Sequence, residues 1–166
     1  VPHKDKRGVC VHFKQKDERG RLIRELWFDE NNEPVSNTDG EFGFDYEYPD
    51  EGDVKEVYVS LGSNGEAASN RFGCMYQCVQ KDDSGRTSVI MAYDADMNPV
   101  VCDDYGNYGV RYIYTDDPNS LIIESLDKDG IPFENAKSFI RELRIKCGEI
   151  TKSIFFNTKG ECVEVD

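Results

Sequence analysis

The sequence predicts an all-β protein of about five tandem β-hairpin repeats of roughly 32 residues, forming a solenoid-like or barrel-like antiparallel sheet. Two observations predict this class. An eight-residue window recurs along the chain at a nearly fixed period, which is the signature of a tandem-repeat architecture. Two strand-like segments separated by a polar turn precede each copy of the window, as expected of a hairpin.

The recurring window begins with a large apolar residue, continues through a turn and ends with an apolar residue. The windows cover residues 28–35, 61–68, 93–100, 126–133 and 156–163, and their first residues lie 33, 32, 33 and 30 positions apart. The second residue is Asp, Asn or Gly, types that begin turns. Asn32, Gly65, Gly130 and Gly160 occupy the fifth position, which indicates a positive backbone φ. Met97 in that position predicts a strained or altered turn.

A predicted hairpin precedes each window. Its second strand is predicted over residues 22–28, 54–61, 87–93, 121–126 and 152–156. Its first strand is clearest at 42–48 and 108–114, where aromatic residues, with one Val, occupy every second position as in a half-buried strand. Residues 134–146 also fit the spacing of a helix, and we favour a strand there because it continues the repeat register.

The chain shows no linker or change of composition, so we predict one repeat domain over residues 8–166. The predicted repeats are 8–37, 38–70, 71–104, 105–136 and 137–166, after a flexible N-terminus at 1–7. Because Val1 opens the chain without a signal peptide, we expect a processed protein or a fragment of a longer one.

Charge and hydrophobicity narrow the classes of partner. The net charge of −13 disfavours nucleic acid, since phosphate binding needs clustered Lys and Arg. No run of about 18 apolar residues occurs, so we predict no membrane insertion. The acidic surface is interpreted as a solubility device, or else as a means of steering a basic partner.

The cysteines and histidines form no recognisable catalytic or metal motif. Cys74 and Cys78 are too far apart in sequence for a C-x-x-C site, and Cys10 with His12 lacks a third orienting group. We interpret the six cysteines chiefly as small buried hydrophobic residues, with structural disulfides or a metal or catalytic role as alternatives. We predict no catalytic residues, so the protein is not expected to be an enzyme.

The acidic turns resemble calcium loops only at their start. Counted from Asp94 or Asp127, the sixth and twelfth positions lack the Gly and Glu of an EF-hand loop. Turn formation explains the same aspartates. We therefore predict no metal site and no cofactor.

Aromatic residues on the strands are the candidates for binding. The candidate ligand-binding residues are Trp27, Tyr46, Tyr48, Tyr112 and Tyr114. Tyrosines on a sheet face suit a carbohydrate or a protein ligand, because one edge is apolar and the other forms hydrogen bonds. The alternative is that most of these rings fill the core, and the sequence does not decide between surface and core for Trp27.

The window pattern F/Y/L-D-x-x-G/N-x-P-V, with hairpins between its copies, resembles the YD and WG tandem repeats of bacterial surface and secreted proteins. The resemblance covers residues 8–166, although the Trp-Gly dipeptide of the WG group is absent and Gly62 and Ala67 replace Asp and Pro in the second window. It implies an extracellular or envelope scaffold or ligand-binding array, and it supplies no catalytic residues.

These observations favour a noncatalytic binding module within a larger bacterial surface or secreted protein, with a protein or carbohydrate ligand. Two alternatives stay open at this point. One is a small acidic inhibitor or immunity-type protein that binds a basic partner. The other is a structural spacer whose repeats only set length.

A thiol count tests the interpretation of the cysteines. If they are core residues, alkylation after denaturation without reductant labels all six, as counted by intact mass. Two or more disulfides would contradict this expectation and favour an extracellular location.

Overall fold

The fold is all-β, as the sequence predicts. The computed structural model describes Val9 and residues 11–165, and these contain eleven strands and no helix. The strands are β1 (Val11–Lys16), β2 (Leu22–Phe28), β3 (Gly43–Glu47), β4 (Val54–Leu61), β5 (Tyr76–Lys81), β6 (Thr87–Tyr93), β7 (Gly109–Tyr114), β8 (Ser120–Leu126), β9 (Arg141–Cys147), β10 (Ile150–Phe156) and β11 (Cys162–Val163). They form one sheet in which the strand order follows the chain, and the pairings described are antiparallel.

Two compact units divide the chain. Unit one extends to Cys78 and includes Tyr93–Asn98, and unit two comprises Val79–Ala92 and the chain from Pro99. The repeat count and the assignment of 8–166 to one domain stay predictions. The N-terminus predicted to be flexible, residues 1–7, and Cys10 lie outside the described residues.

Every window contains the same turn, including the copy with Met97. The fifth residue has positive φ throughout, with 64° at Asn32, 63° at Met97, and 74° to 79° at the three glycines. The Asp94 carboxylate accepts the backbone N–H of Asp96 at 2.9 Å and of Asn98 at 2.8 Å, as at the other Asp or Asn starts. The Met97 turn is therefore strained rather than altered.

A second family of turns leads into the first strand of the next hairpin, and the sequence reading missed it. Its first residues are Asn37, Asn70, Asp103 and Asn135, and its fourth residues, all with positive φ, are Gly40, Gly73, Gly106 and Ser138. In each turn the side-chain oxygen of the first residue accepts the N–H groups two and four residues on. The last of these turns precedes β9, so the strand interpretation of 134–146 is confirmed only from Arg141 onward.

The fifth residue of each second-family turn is buried, and we call these residues plugs. Along the chain the plugs alternate between polar and apolar types. The plugs are Glu41, Cys74, Asn107 and Phe139, each at most 4% exposed. In unit one, Glu41 accepts hydrogen bonds from Ser60 and Asn70, both at 3.0 Å. In unit two, Asn135 donates to Ser125 at 3.0 Å and to Asn107 at 3.4 Å. Each polar plug thus has its own partners, as burial demands.

Two equivalent glycines allow neighbouring strands to approach closely. Gly43 opens β3 and Gly109 opens β7. A Cβ added to Gly43 would overlap the Glu25 carbonyl oxygen, and one added to Gly109 would overlap the Ile90 carbonyl oxygen. Glycine is required at both positions because only a residue without a Cβ fits beside the backbone of the preceding strand.

Replacing Met97 with Gly should stabilise the protein. The left-handed conformation costs a residue with a Cβ about 1–2 kcal/mol, and Met97→Gly removes this cost. The greater conformational freedom of glycine in the unfolded chain offsets roughly 0.5–1 kcal/mol of that stabilisation. We expect Met97→Gly to raise the free energy of unfolding by about 0.5 kcal/mol in urea denaturation. Met97→Ala is the control, since it removes the same exposed side chain but keeps the Cβ; equal effects of the two would contradict the strain.

Candidate binding faces

Four rings of unit one form an aromatic cluster on one sheet face: Trp27, Phe44, Tyr46 and Tyr58. The Trp27 and Phe44 centroids lie 5.8 Å apart with planes at 79°, and Tyr46 and Tyr58 lie 5.0 Å apart at 66°. Tyr46 and Tyr58 are direct cross-strand partners in the β3–β4 register. Edge-to-face packing of this kind stabilises the sheet beyond the area that the rings bury.

Glu25 is the polar centre of the aromatic cluster. Its carboxylate accepts hydrogen bonds from the Trp27 indole and the Tyr46 hydroxyl, both at 3.2 Å. His12 Nδ1 lies at 3.2 Å and Lys14 Nζ at 3.4 Å from the same carboxylate. Burial raises the pKa of Glu25, but the Trp27 hydrogen bond and the Lys14 charge outweigh it, so the pKa lies below its ordinary value of 4.5.

The five candidate aromatic residues fall into the two units. Trp27, Tyr46 and Tyr48 lie in unit one, and Tyr112 and Tyr114 lie on one face of β7 in unit two. Trp27 is only 6% exposed, which places it in the core rather than on the surface. A ligand-binding role for these five residues stays a prediction.

Several of these aromatic residues already use their polar groups within the protein. The Tyr48 hydroxyl donates to the Leu22 carbonyl oxygen at 2.7 Å, and the Tyr114 hydroxyl donates to the Thr87 carbonyl oxygen at 2.9 Å. Burial, followed by the charge of Glu25, raises the pKa of Tyr46 far above its ordinary value, so that phenol stays protonated. A carbohydrate that used these hydroxyls as donors would have to displace existing hydrogen bonds.

Unit two carries an aliphatic row that the sequence reading missed. Ile113 pairs with Ile122, Ile122 with Leu143, and Leu143 with Ile154, so the four side chains lie side by side across β7 to β10. Ile113 is 36% exposed and Ile154 is 38% exposed. Consecutive aliphatic side chains on one face form a continuous apolar strip that faces solvent at both ends.

An apolar cleft opens beside the aliphatic row. Its volume is about 370 Å³, which lies at the lower end of the range for small-ligand sites. It is lined by Ile122, Ile140, Arg141, Leu143 and Phe156, together with Asn157, Thr158 and Gly160 of the last window. Its walls are therefore aliphatic and aromatic, and Arg141 is the one charged side chain among these lining residues.

A charged triad of Arg111, Glu124 and Arg141 occupies the cross-strand row next to the aliphatic row. Arg141 Nε lies 2.7 Å and Arg111 Nη1 lies 3.2 Å from the Glu124 carboxylate. The Glu124 side chain is 4% exposed, whereas that of Arg141 is 55% exposed. Two guanidinium groups thus share one buried carboxylate, and the triad carries one positive charge that it does not balance itself.

The polar groups at the rim of the cleft are already bonded. The Asn157 side-chain oxygen accepts the N–H groups of Lys159 and Glu161 at 2.9 and 3.0 Å, and its amide donates to Glu161 at 2.9 Å. The Thr158 hydroxyl and N–H both donate to Glu134, at 3.0 and 3.2 Å. Arg141 differs, because its two terminal nitrogens donate no hydrogen bond within the described chain.

The described cysteines are all free thiols. Cys74 and Cys78 are buried, Cys102 is partly buried, and Cys147 and Cys162 are exposed. Burial raises the pKa of Cys74 to about 11, so it stays a neutral thiol at physiological pH. Within residues 11–165, no group of three or more His, Cys, Asp or Glu side chains is arranged to hold a metal ion. That part of the chain also has no helix suited to crossing a membrane.

Glu25→Gln should destabilise the protein in a pH-dependent way. Because the folded pKa of Glu25 is lowered, its stabilisation is present above its ordinary pKa of 4.5 and is lost as the pH falls through the folded pKa. At pH 7 we expect the substitution to lower the free energy of unfolding by about 1–2 kcal/mol. Guanidinium denaturation over a pH series would measure the loss, which should shrink in acid. The control is Glu47→Gln, an exposed change on β3; a pH-independent loss at Glu25 would contradict the carboxylate's role.

No protein-family model, curated protein or solved structure matches this chain. The likeness to the YD and WG repeats rests on the windows alone and stays a prediction.

Proposed function

We propose that the protein is a noncatalytic binding module that takes an apolar ligand in the cleft of unit two. The observation that carries this proposal is the aliphatic row of Ile113, Ile122, Leu143 and Ile154, whose two central members, Ile122 and Leu143, line a cleft of about 370 Å³. Exposed aliphatic side chains on a sheet face are costly in water, and a ligand that covers them gains roughly 0.8 kcal/mol for each buried methylene.

The composition of the cleft supports binding rather than catalysis. General acid–base chemistry needs a side chain that releases or takes up a proton near neutral pH, and nucleophilic chemistry needs an activated Ser, Cys or Lys. The guanidinium group of Arg141 has no acceptor atom, and the hydroxyl of Thr158 donates to Glu134 at 3.0 Å. The remaining lining side chains are apolar, apart from Asn157, whose amide already forms the turn.

Titration with 1-octanol tests this proposal without assuming a charged ligand. We expect saturable binding, followed by backbone amide NMR shifts that centre on Ile122 and Leu143. Leu143→Ser should weaken binding about fivefold, because it removes roughly 1 kcal/mol of apolar contact. Ile131→Ser is the matched control, since Ile131 is 59% exposed and lies outside the residues lining the cleft. Equal weakening by the two substitutions would contradict the assignment of the site.

The two alternatives from the sequence make different predictions in the same assay. A structural spacer shows no saturable binding of 1-octanol. A small acidic inhibitor binds a basic protein through its charge of −13, and that affinity falls steeply as salt is added. Binding in the apolar cleft should change little between low and physiological salt, because burial of alkyl groups involves no ion pair.

A further inference from the structure

We infer that the ligand of the apolar cleft is a linear aliphatic carboxylate, with its alkyl chain along the aliphatic row and its carboxylate on Arg141. This inference rests on the proposed function, because it specifies the ligand of that same site. It adds a requirement for negative charge that an apolar cleft alone does not impose.

The charge of the triad favours an anion. Arg111 and Arg141 share the single carboxylate of Glu124, at 3.2 and 2.7 Å. The other terminal nitrogen of Arg111 also has a partner, since Nη2 donates to the Gly130 carbonyl oxygen at 3.3 Å. Within the described chain Arg141 keeps both terminal nitrogens for another acceptor, and a guanidinium group matches the two oxygens of a carboxylate. A second carboxylate would balance the triad, in a chain whose net charge of −13 otherwise repels anions.

Because the polar side chains at the rim of the cleft already form hydrogen bonds, the cleft favours a ligand with one polar head group and no other polar groups. The side chains of Asn157 and Thr158 are committed to Glu161 and Glu134. A peptide laid in the cleft would bury backbone N–H and C=O groups that these lining residues cannot satisfy, and each such group costs about 1–3 kcal/mol. A sugar would bury several hydroxyls with the same penalty. An alkyl chain has no such groups.

The positions of the aliphatic row and Arg141 match a ligand with an alkyl chain and a carboxylate at one end. The aliphatic row spans three gaps between neighbouring strands, which corresponds to about 14 Å. Arg141 lies two residues before Leu143 on β9, so its Cα is about 7 Å from that of Leu143 and on the same face. An alkyl chain that follows the row therefore brings its carboxylate within reach of Arg141 without crossing the sheet.

Octanoate and 1-octanol differ chiefly in the head group, so their comparison tests the inference on the full chain at neutral pH. We expect octanoate to bind about tenfold more tightly than 1-octanol by calorimetry, the usual gain from a charge-assisted hydrogen bond. Arg141→Gln should abolish this preference, measured as the ratio of the octanoate and 1-octanol affinities of the variant itself. Lys152→Gln is the matched control: it removes an exposed positive charge from β10, on a residue that does not line the cleft.

Each outcome bears on one proposal or on both. Equal affinities of the wild-type protein for octanoate and 1-octanol would overturn the carboxylate inference and leave the apolar module intact. Binding of neither compound would overturn both. A loss of the octanoate preference in Lys152→Gln equal to that in Arg141→Gln would show a diffuse charge effect and overturn the role of Arg141. The wild-type comparison needs no variant, so it decides the inference even if Arg141→Gln fails to fold.

Discussion

The sheet depends on one repeated interaction, a short side chain that closes a turn. In both turn families, except in the window turn that begins at Gly62, the oxygen of an Asp or Asn side chain accepts the N–H groups two and four residues on, as Asp29 and Asn37 do. The turn that results has a fixed length and a positive φ near its end. Because successive strands are joined by turns of fixed length, the turns set the register of the strands they connect, and the side-chain oxygens stabilise those turns.

Register in turn creates the surface that we propose as the binding site. Ile122 lies opposite both Ile113 and Leu143 only in the observed pairing, and a shift of one residue would send these side chains to the other face. The same pairing brings Glu124 between its two arginines. The apolar cleft and its charge are therefore properties of the alignment of four strands, and no single strand contains them.

The turns depend on local residue types, whereas the binding surface depends on strand register, and this difference explains what the sequence could predict. The windows predict the turns because the required φ at Asn32 or Gly130 is a local matter of residue type. The aliphatic row was missed because its members have irregular spacings along the chain and become neighbours only through register. The sequence pointed instead to aromatic residues of the strands, yet Trp27 is in the core and its indole donates to Glu25. The second turn family did have a local signal, Asn or Asp followed three positions later by Gly or Ser, and it could have been found.

The alternation of the buried plugs has a consequence for how such a chain avoids misfolding. A chain of similar hairpins is at risk of pairing one whole unit out of place, because most local contacts would survive that error. Glu41 meets a serine and two asparagines, whereas the next plug, Cys74, is a thiol that burial keeps neutral. An offset of one hairpin would separate the Glu41 carboxylate from Ser60 and Asn70, and a buried carboxylate without its partners costs several kcal/mol. Only an offset of two hairpins would place Glu41 where a polar plug belongs. Because of the alternation, the smallest misalignment without a large energetic penalty is two hairpins rather than one, which favours the correct pairing.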